Sequence, residues 1–165
     1  MFKTTLSIAT LLVASTASAG NIPITGNVAS KCSIFTDTPG VYGNPTPDEL
    51  STLPSDGGVM PIVRYDVALA ESYTASIAWP TSFSSSPAID DAQAWTGEVE
   101  VSSVSDTTMA GYEAAKIEFD NVTQFDLTHA GSVWFKVTSE MNYGYGKTLP
   151  GGEYVALISA DCIAN

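Results

Sequence analysis

The sequence predicts an all-β protein, an antiparallel β-sandwich of about seven to nine strands. Three observations lead to this prediction. Short runs of alternating apolar and polar residues recur along the chain, and they are rich in Val, Ile, Tyr, Thr and Trp. Turn signals containing Gly and Pro separate these runs. The chain contains no convincing helical pattern, apart from one candidate helical turn at Tyr112–Lys116.

The N-terminus has the pattern of a secretory signal peptide. Lys3 precedes an apolar stretch from Leu6 to Ala14, and Ala17-Ser18-Ala19 is a small-residue cleavage signal. The apolar stretch is shorter than the roughly 20 residues that a membrane-spanning helix needs. We therefore expect residues 1–19 to be removed, residues 20–165 to form one domain, and the chain to be exported rather than inserted into a membrane.

Composition excludes some classes of partner. The 165-residue chain has 6 basic and 18 acidic residues, a net charge of −12. A chain this acidic is repelled by nucleic acid and by anionic membranes. The acidic residues are dispersed, which is typical of a solvated surface rather than an acidic tail.

The first alternating run covers Asn21–Phe35. Its apolar row contains Ile22, Ile24, Val28, Cys32 and Ile34, and Gly26 interrupts it. Pro23 lacks a backbone N–H, so this end suits a free end or an edge better than the middle of a sheet. Two interpretations remain. The run is either the first strand of its own domain, or a segment in which Ile22, Ile24, Gly26 and Val28 pair with another copy.

The central runs predict further strands. Val59–Ala70 and Tyr73–Trp79 are expected to form a hairpin around Ala70-Glu71-Ser72. Thr36–Gly58 reads as a long connection in which short strands or a functional loop are hidden. The remaining strand predictions cover Trp95–Val104, Ile117–Phe119, Phe125–Leu127 and Val133–Val137.

The final stretch, Gly151–Asn165, is predicted to be the closing strand. Alternate residues from Tyr154 to Cys162 form one apolar face, and Val155, Leu157 and Ile163 partly fill the other, so we expect both faces to be covered. The chain has two cysteines, Cys32 and Cys162. In an exported protein they allow one intramolecular pairing, which would tie the first strand to the last.

The two ends of the chain resemble a known family. Gly26–Ile34, with its flanked Cys32, resembles the opening of bacterial fimbrial subunits of the chaperone–usher type and of related spore-coat-like secreted proteins. Leu149–Ala156 looks like the start of their final strand, which a periplasmic chaperone grips. The resemblance implies an incomplete immunoglobulin-like sandwich, which a strand from a neighbouring subunit completes.

No residue pattern predicts catalysis or a bound cofactor. His129 is the only histidine and no Gly-x-Ser-x-Gly motif accompanies it, so we expect a surface residue and no enzyme. The Asp residues lack the spacing of a calcium loop, and one histidine with two oxidised cysteines is a poor zinc set. Whether a weak calcium site exists stays open.

The tryptophans provide the last candidate. Trp79 and Trp95 lie on predicted apolar faces and are expected in the core. Trp134 alternates outward from Val133 and Phe135, which makes it a candidate contact residue. Two functions follow from the sequence: a structural subunit that polymerises with itself at the cell surface, or a monomeric secreted module that binds carbohydrate or acts as an adhesin.

Overall fold

A computed structural model describes residues 25–69, 71–144 and 147–165. The predicted signal peptide, Ile22 and Ile24 lie outside these residues. The described chain forms eleven strands: β1 Lys31–Thr38, β2 Glu49–Ser51, β3 Ile62–Ala68, β4 Tyr73–Ala78, β5 Phe83–Ser85, β6 Gln93–Val104, β7 Ile117–Phe119, β8 Val122–Leu127, β9 Gly131–Tyr143, β10 Val155–Ala156 and β11 Ser159–Ala164. Three short 3₁₀ helices cover Pro54–Asp56, Thr107–Met109 and Glu113–Ala115.

Two antiparallel sheets form the sandwich. In the first sheet, the long strand β9 pairs with β6 along one side and with β3 and β2 along the other, and β1 pairs with the far side of β3. The second sheet has the order β11-β4-β8-β7. A separate two-stranded pair joins β10 to β5. The predicted all-β sandwich is confirmed, and the strands beyond the expected number are short ones.

The core lies between the inward rows of the two sheets. Val63, Tyr65 and Val67 alternate inward on β3, and Phe135 lies on β9 with no exposed surface. The Phe135 ring contacts Tyr65 from its own sheet, with centroids 5.4 Å apart, and Phe125 from the opposite sheet, at 4.4 Å. The period-two pattern of the sequence therefore selects these residues as core.

Three strand predictions are corrected. Among the described residues the first strand begins at Lys31, because residues 25–30 belong to no strand, whereas a strand was predicted from Asn21; residues 21–24 lie outside the described residues. Strands β3 and β4 do not form a hairpin: each pairs with partners in a different sheet, so the chain crosses the sandwich between them. The predicted closing strand is two strands, β10 and β11, with an irregular break at Leu157 and Ile158.

The burial of that C-terminal stretch also differs from the prediction. Its inward row, from Tyr154 to Cys162, is half-buried as expected. Its other face is open, since Leu157 is 68% exposed and Ile163 is 51% exposed. No described residue packs against this face, which is the outer face of the sandwich.

The long connection before β3 is partly structured. It contains β2, one 3₁₀ helix and the isolated bridges Val41–Val59 and Gly43–Ser51. The expectation that short strands are hidden in this connection is confirmed. In the part of the chain that the structure describes, no helix has the length and apolarity that crossing a membrane requires.

Candidate assembly groove

A groove separates the two edge strands β1 and β11. Strand β1 pairs with β3 alone, and β11 pairs with β4 alone, so each has one unpaired edge. No backbone hydrogen bonds of a strand ladder join β1 to β11 among the described residues. The sandwich is therefore open along this side, where two unpaired edges flank the opening.

The groove lies between two walls. It has a volume of about 680 Å³. The first sheet and the loop after β1 contribute mainly apolar residues, among them Ile34, Val41, Tyr42, Leu50, Pro61 and Val63. The C-terminal stretch contributes the opposite wall, from Gly152 to Ile158 and Ala160.

A disulfide between Cys32 and Cys162 closes one end of the groove. Cys32 precedes Ile34 by two residues in the inward row of β1, and Cys162 follows Ala160 by two residues in the inward row of β11. The S–S bond is 2.01 Å long and the Cα atoms are 6.3 Å apart. The predicted pairing is present, and it connects the two sheets rather than two neighbouring strands of one sheet.

Tyr65 fastens the same end. Its ring is fully buried, and its hydroxyl donates a hydrogen bond to the backbone carbonyl of Asp161 at 3.1 Å. Burial, with a smaller contribution from the Asp161 charge, raises the pKa of the Tyr65 hydroxyl, so the group stays protonated. The phenol therefore holds β11 against the first sheet beside the disulfide.

One polar pair lies in the floor of the groove. The hydroxyls of Tyr42 and Ser139 are 2.8 Å apart. Burial raises the pKa of Tyr42, although the hydrogen bond with Ser139 opposes the shift. Ser139 also interacts through its backbone with Thr52: its N–H donates to the Thr52 hydroxyl at 2.8 Å. The polar atoms of the floor are thus satisfied within the protein, which leaves the apolar lining as its main feature.

The groove continues toward a smaller cavity at its other end. This cavity, of about 460 Å³, shares Leu50, Gly152 and Tyr154 with the groove. A second apolar cluster supports the junction, where the Phe83 ring packs against Trp95 at 4.7 Å and Tyr154 at 5.1 Å. The disulfide end is therefore closed, while the opposite end opens into further space.

The predicted assembly residues are only partly described. Ile22 and Ile24 lie outside the described residues. Gly26 and Val28 precede β1, and Val28 is 81% exposed and does not line the groove. The Ser30 hydroxyl lies 2.8 Å from the Tyr73 hydroxyl, which anchors the chain just before β1.

The three tryptophans occupy different environments, and the contact role of Trp134 stays a prediction. Trp79 and Trp95 are partly buried against the two apolar clusters. Trp134 projects from the outer face of the first sheet, and its indole N–H donates to Asp37 at 3.4 Å.

His129 is exposed, beside Thr128 and Tyr112. The described residues contain no group of three or more metal-ligating side chains.

Comparison with known protein families, with curated proteins and with solved structures finds no match for this chain.

Much of the groove is not predictable from the sequence. The wall between Pro39 and Tyr42 lies in a segment read as a connection, and the groove exists because β1 and β11 belong to different sheets. One signal of the groove was present in the sequence: the inward row of Cys32, Ile34 and Thr36 continues beyond the cysteine of the expected disulfide.

Proposed function

We propose that this chain is an exported structural subunit of a bacterial surface filament. The N-terminal segment of one copy would occupy the groove of the next copy and complete its sandwich. The observation that supports this proposal is the groove itself, an apolar channel with an unpaired strand edge on both sides.

An extended segment would pair with the free strand edges of the groove and cover its apolar lining. Its backbone would pair with the free edges of β1 and β11, and its side chains would cover Ile34, Val63 and Ile158. An empty groove leaves those edges available for unspecific pairing. A periplasmic chaperone that covers the groove before assembly would protect these edges from unspecific pairing.

The N-terminal segment has the composition of such a donor. Its alternating row is Ile22, Ile24, Gly26 and Val28. Its described part does not lie in its own groove, because Val28 is 81% exposed and residues 25–30 form no strand. A donor that binds the groove of another copy makes a head-to-tail contact, and repetition of such contacts produces an open filament. The disulfide and the absence of a spanning helix in the described residues are compatible with export.

Two variants with complementary defects test the proposal. A chain lacking Gly20–Thr25 has a groove but no donor, while Ile34→Arg places a charge in the groove wall of a chain that keeps its donor. Ile34 is 36% exposed, so the arginine should be tolerated by the fold. We expect each variant alone to be a folded monomer. Their mixture should form a one-to-one dimer in native mass spectrometry, since one donor meets one intact groove.

Ile163→Arg is the matched control. It introduces the same charge on β11 at a site that is 51% exposed and does not line the groove. This variant should polymerise like the parent chain in electron micrographs. Polymers of normal length from the chain lacking Gly20–Thr25 would rule out the proposed joining of subunits.

A further inference from the structure

A row of planar side chains crosses the outer face of the first sheet. Phe35 on β1 is the register partner of Arg64 on β3, and Arg64 is the partner of Trp134 on β9. Neighbouring strands are about 4.8 Å apart, so the three side chains are adjacent. The Arg64 guanidinium carbon lies 4.7 Å from the centroid of the Phe35 ring. Phe35 is 45% exposed and Trp134 is half-buried, so the row is open to solvent.

Charged groups of both signs border this row. Asp37 accepts the Trp134 indole N–H, and Asp66 lies 3.1 Å from Arg64 Nε, in ionic contact though not aligned for a hydrogen bond. Lys136, next to Trp134 on the same face of β9, forms an ion pair with Glu100 at 2.8 Å.

The outer face is therefore electrically balanced around the row. Beside the row lie three of the chain's six basic residues, Lys31, Arg64 and Lys136, together with three carboxylates, Asp37, Asp66 and Glu100. Further carboxylates on the same face, Glu49, Glu98 and Glu140, lie farther along β2, β6 and β9, and Glu98 forms an ion pair with Lys116. In a chain of net charge −12 this patch has no strong field of its own. It offers hydrogen-bond donors and acceptors without attracting an ion of either sign.

The chemistry of this patch selects among ligands. An acidic ligand gains little, because Arg64 and Lys136 already have carboxylate partners. An apolar protein surface would have to desolvate these ion pairs, which is costly. A sugar ring meets both features: its C–H face covers aromatic surface, and its hydroxyls exchange hydrogen bonds with Arg and Asp side chains.

The shape selects the size of the ligand. Pockets for small molecules are concave, whereas this row lies on the face of a sheet. A flat row is suited to an extended polymer, because several of its units can contact the row at the same time. We propose that Phe35, Arg64 and Trp134 form a binding site for a neutral polysaccharide, and this proposal does not depend on filament assembly.

Affinity electrophoresis of the full chain tests the proposal. The gels would contain one of four neutral polysaccharides, hydroxyethylcellulose, galactomannan, xylan or laminarin, with the acidic polysaccharide alginate as a comparison. We expect retardation by at least one neutral polymer and none by alginate. Trp134→Ala and Arg64→Ala should each weaken that retardation at least tenfold, without changing the urea midpoint by more than a small amount.

Phe119→Ala is the matched control. Phe119 is an aromatic residue that is 75% exposed on β7 of the other sheet, so its loss should leave retardation unchanged. Failure of all four neutral polymers to retard the chain would overturn the proposal. Unchanged polysaccharide binding by the Trp134→Ala variant would also overturn it. The same holds if this substitution changes only the association between copies and not the binding of polysaccharide.

Discussion

Cys32 and Cys162 covalently join two edge strands that belong to different sheets, with their Cα atoms 6.3 Å apart. The bond spans 130 residues of sequence and closes the end of the groove at which the two sheets come together. The remainder of the groove stays open because none of the described strands lies between β1 and β11. The disulfide thus allows the sandwich to keep an open side without separation of its sheets.

Removing this disulfide should destabilise the protein strongly. We expect Cys32→Ser combined with Cys162→Ser to lose roughly 2–5 kcal/mol of unfolding free energy, as is usual for a native disulfide that closes a long loop. Urea denaturation of both chains measures the loss. Mass spectrometry of the unreduced parent should show a mass about 2 Da below that of the reduced one, for the two hydrogens lost on S–S formation. Two free thiols in the unreduced protein would contradict the structure.

Gly97 should not accept a larger side chain. A Cβ atom there would lie 2.6 Å from the Thr138 carbonyl oxygen and 2.7 Å from Trp79 Cγ. Because β6 and β9 are paired at this point and Trp79 packs above, Gly97→Ala should cost about 1–3 kcal/mol through overpacking. Gly111→Ala is the control, since nothing lies within 4 Å of its Cβ position. Equal thermal midpoints for the two variants would show that this packing is wrong.

Neighbouring residues Trp134 and Phe135 should differ sharply in their contribution to stability. Phe135 is fully buried between Tyr65 and Phe125, so Phe135→Ala should cost about 3–5 kcal/mol. Trp134 projects outward, and Trp134→Ala should cost about 1 kcal/mol or less. Urea denaturation monitored by circular dichroism compares the two. A loss of several kcal/mol for Trp134→Ala would mean that this side chain belongs to the core.

The charge of Glu113 should stabilise the protein at neutral pH and not in acid. Burial alone would raise the pKa of the Glu113 carboxyl, but the Val101 N–H at 2.6 Å and Lys116 at 3.0 Å outweigh it and lower the pKa. A lowered pKa in the folded state means that the stabilisation is present above the ordinary value of about 4.5. This stabilisation is lost as the pH falls through the lowered pKa of Glu113 in the folded state.

Glu113→Gln isolates this effect, because the amide oxygen still accepts the Val101 N–H. We expect the variant to be less stable than the parent at pH 7, with the difference shrinking below about pH 4. Glu71→Gln, at an exposed site without an ion pair in the described residues, should show no such trend. A stability difference for Glu113→Gln that is the same at pH 7 and pH 2 would refute the assignment.

Local sequence pattern determined which residues face inward. Val63, Tyr65 and Val67 alternate with Arg64 and Asp66 in the sequence and form a buried row in the structure, and the same alternation placed Trp134 on the outside. Successive side chains of a strand point to opposite faces, so the period is readable without knowledge of any partner. The pairing of Cys32 with Cys162 was equally accessible, since two cysteines allow one intramolecular bond.

The identity of each strand's neighbour was decided by the tertiary structure alone. The hairpin expected between β3 and β4 is absent because β3 pairs with β1 and β9, while β4 pairs with β8 and β11. The same contacts leave Leu157 and Ile163 exposed on a stretch that was expected to be covered on both faces. Strand pairing depends on residues far apart in the chain, and a period of two is the same whichever strand lies alongside. Local pattern was therefore sufficient to predict the class of fold, the inward rows and the disulfide, whereas the groove exists because two sheets assemble with unpaired edges at β1 and β11.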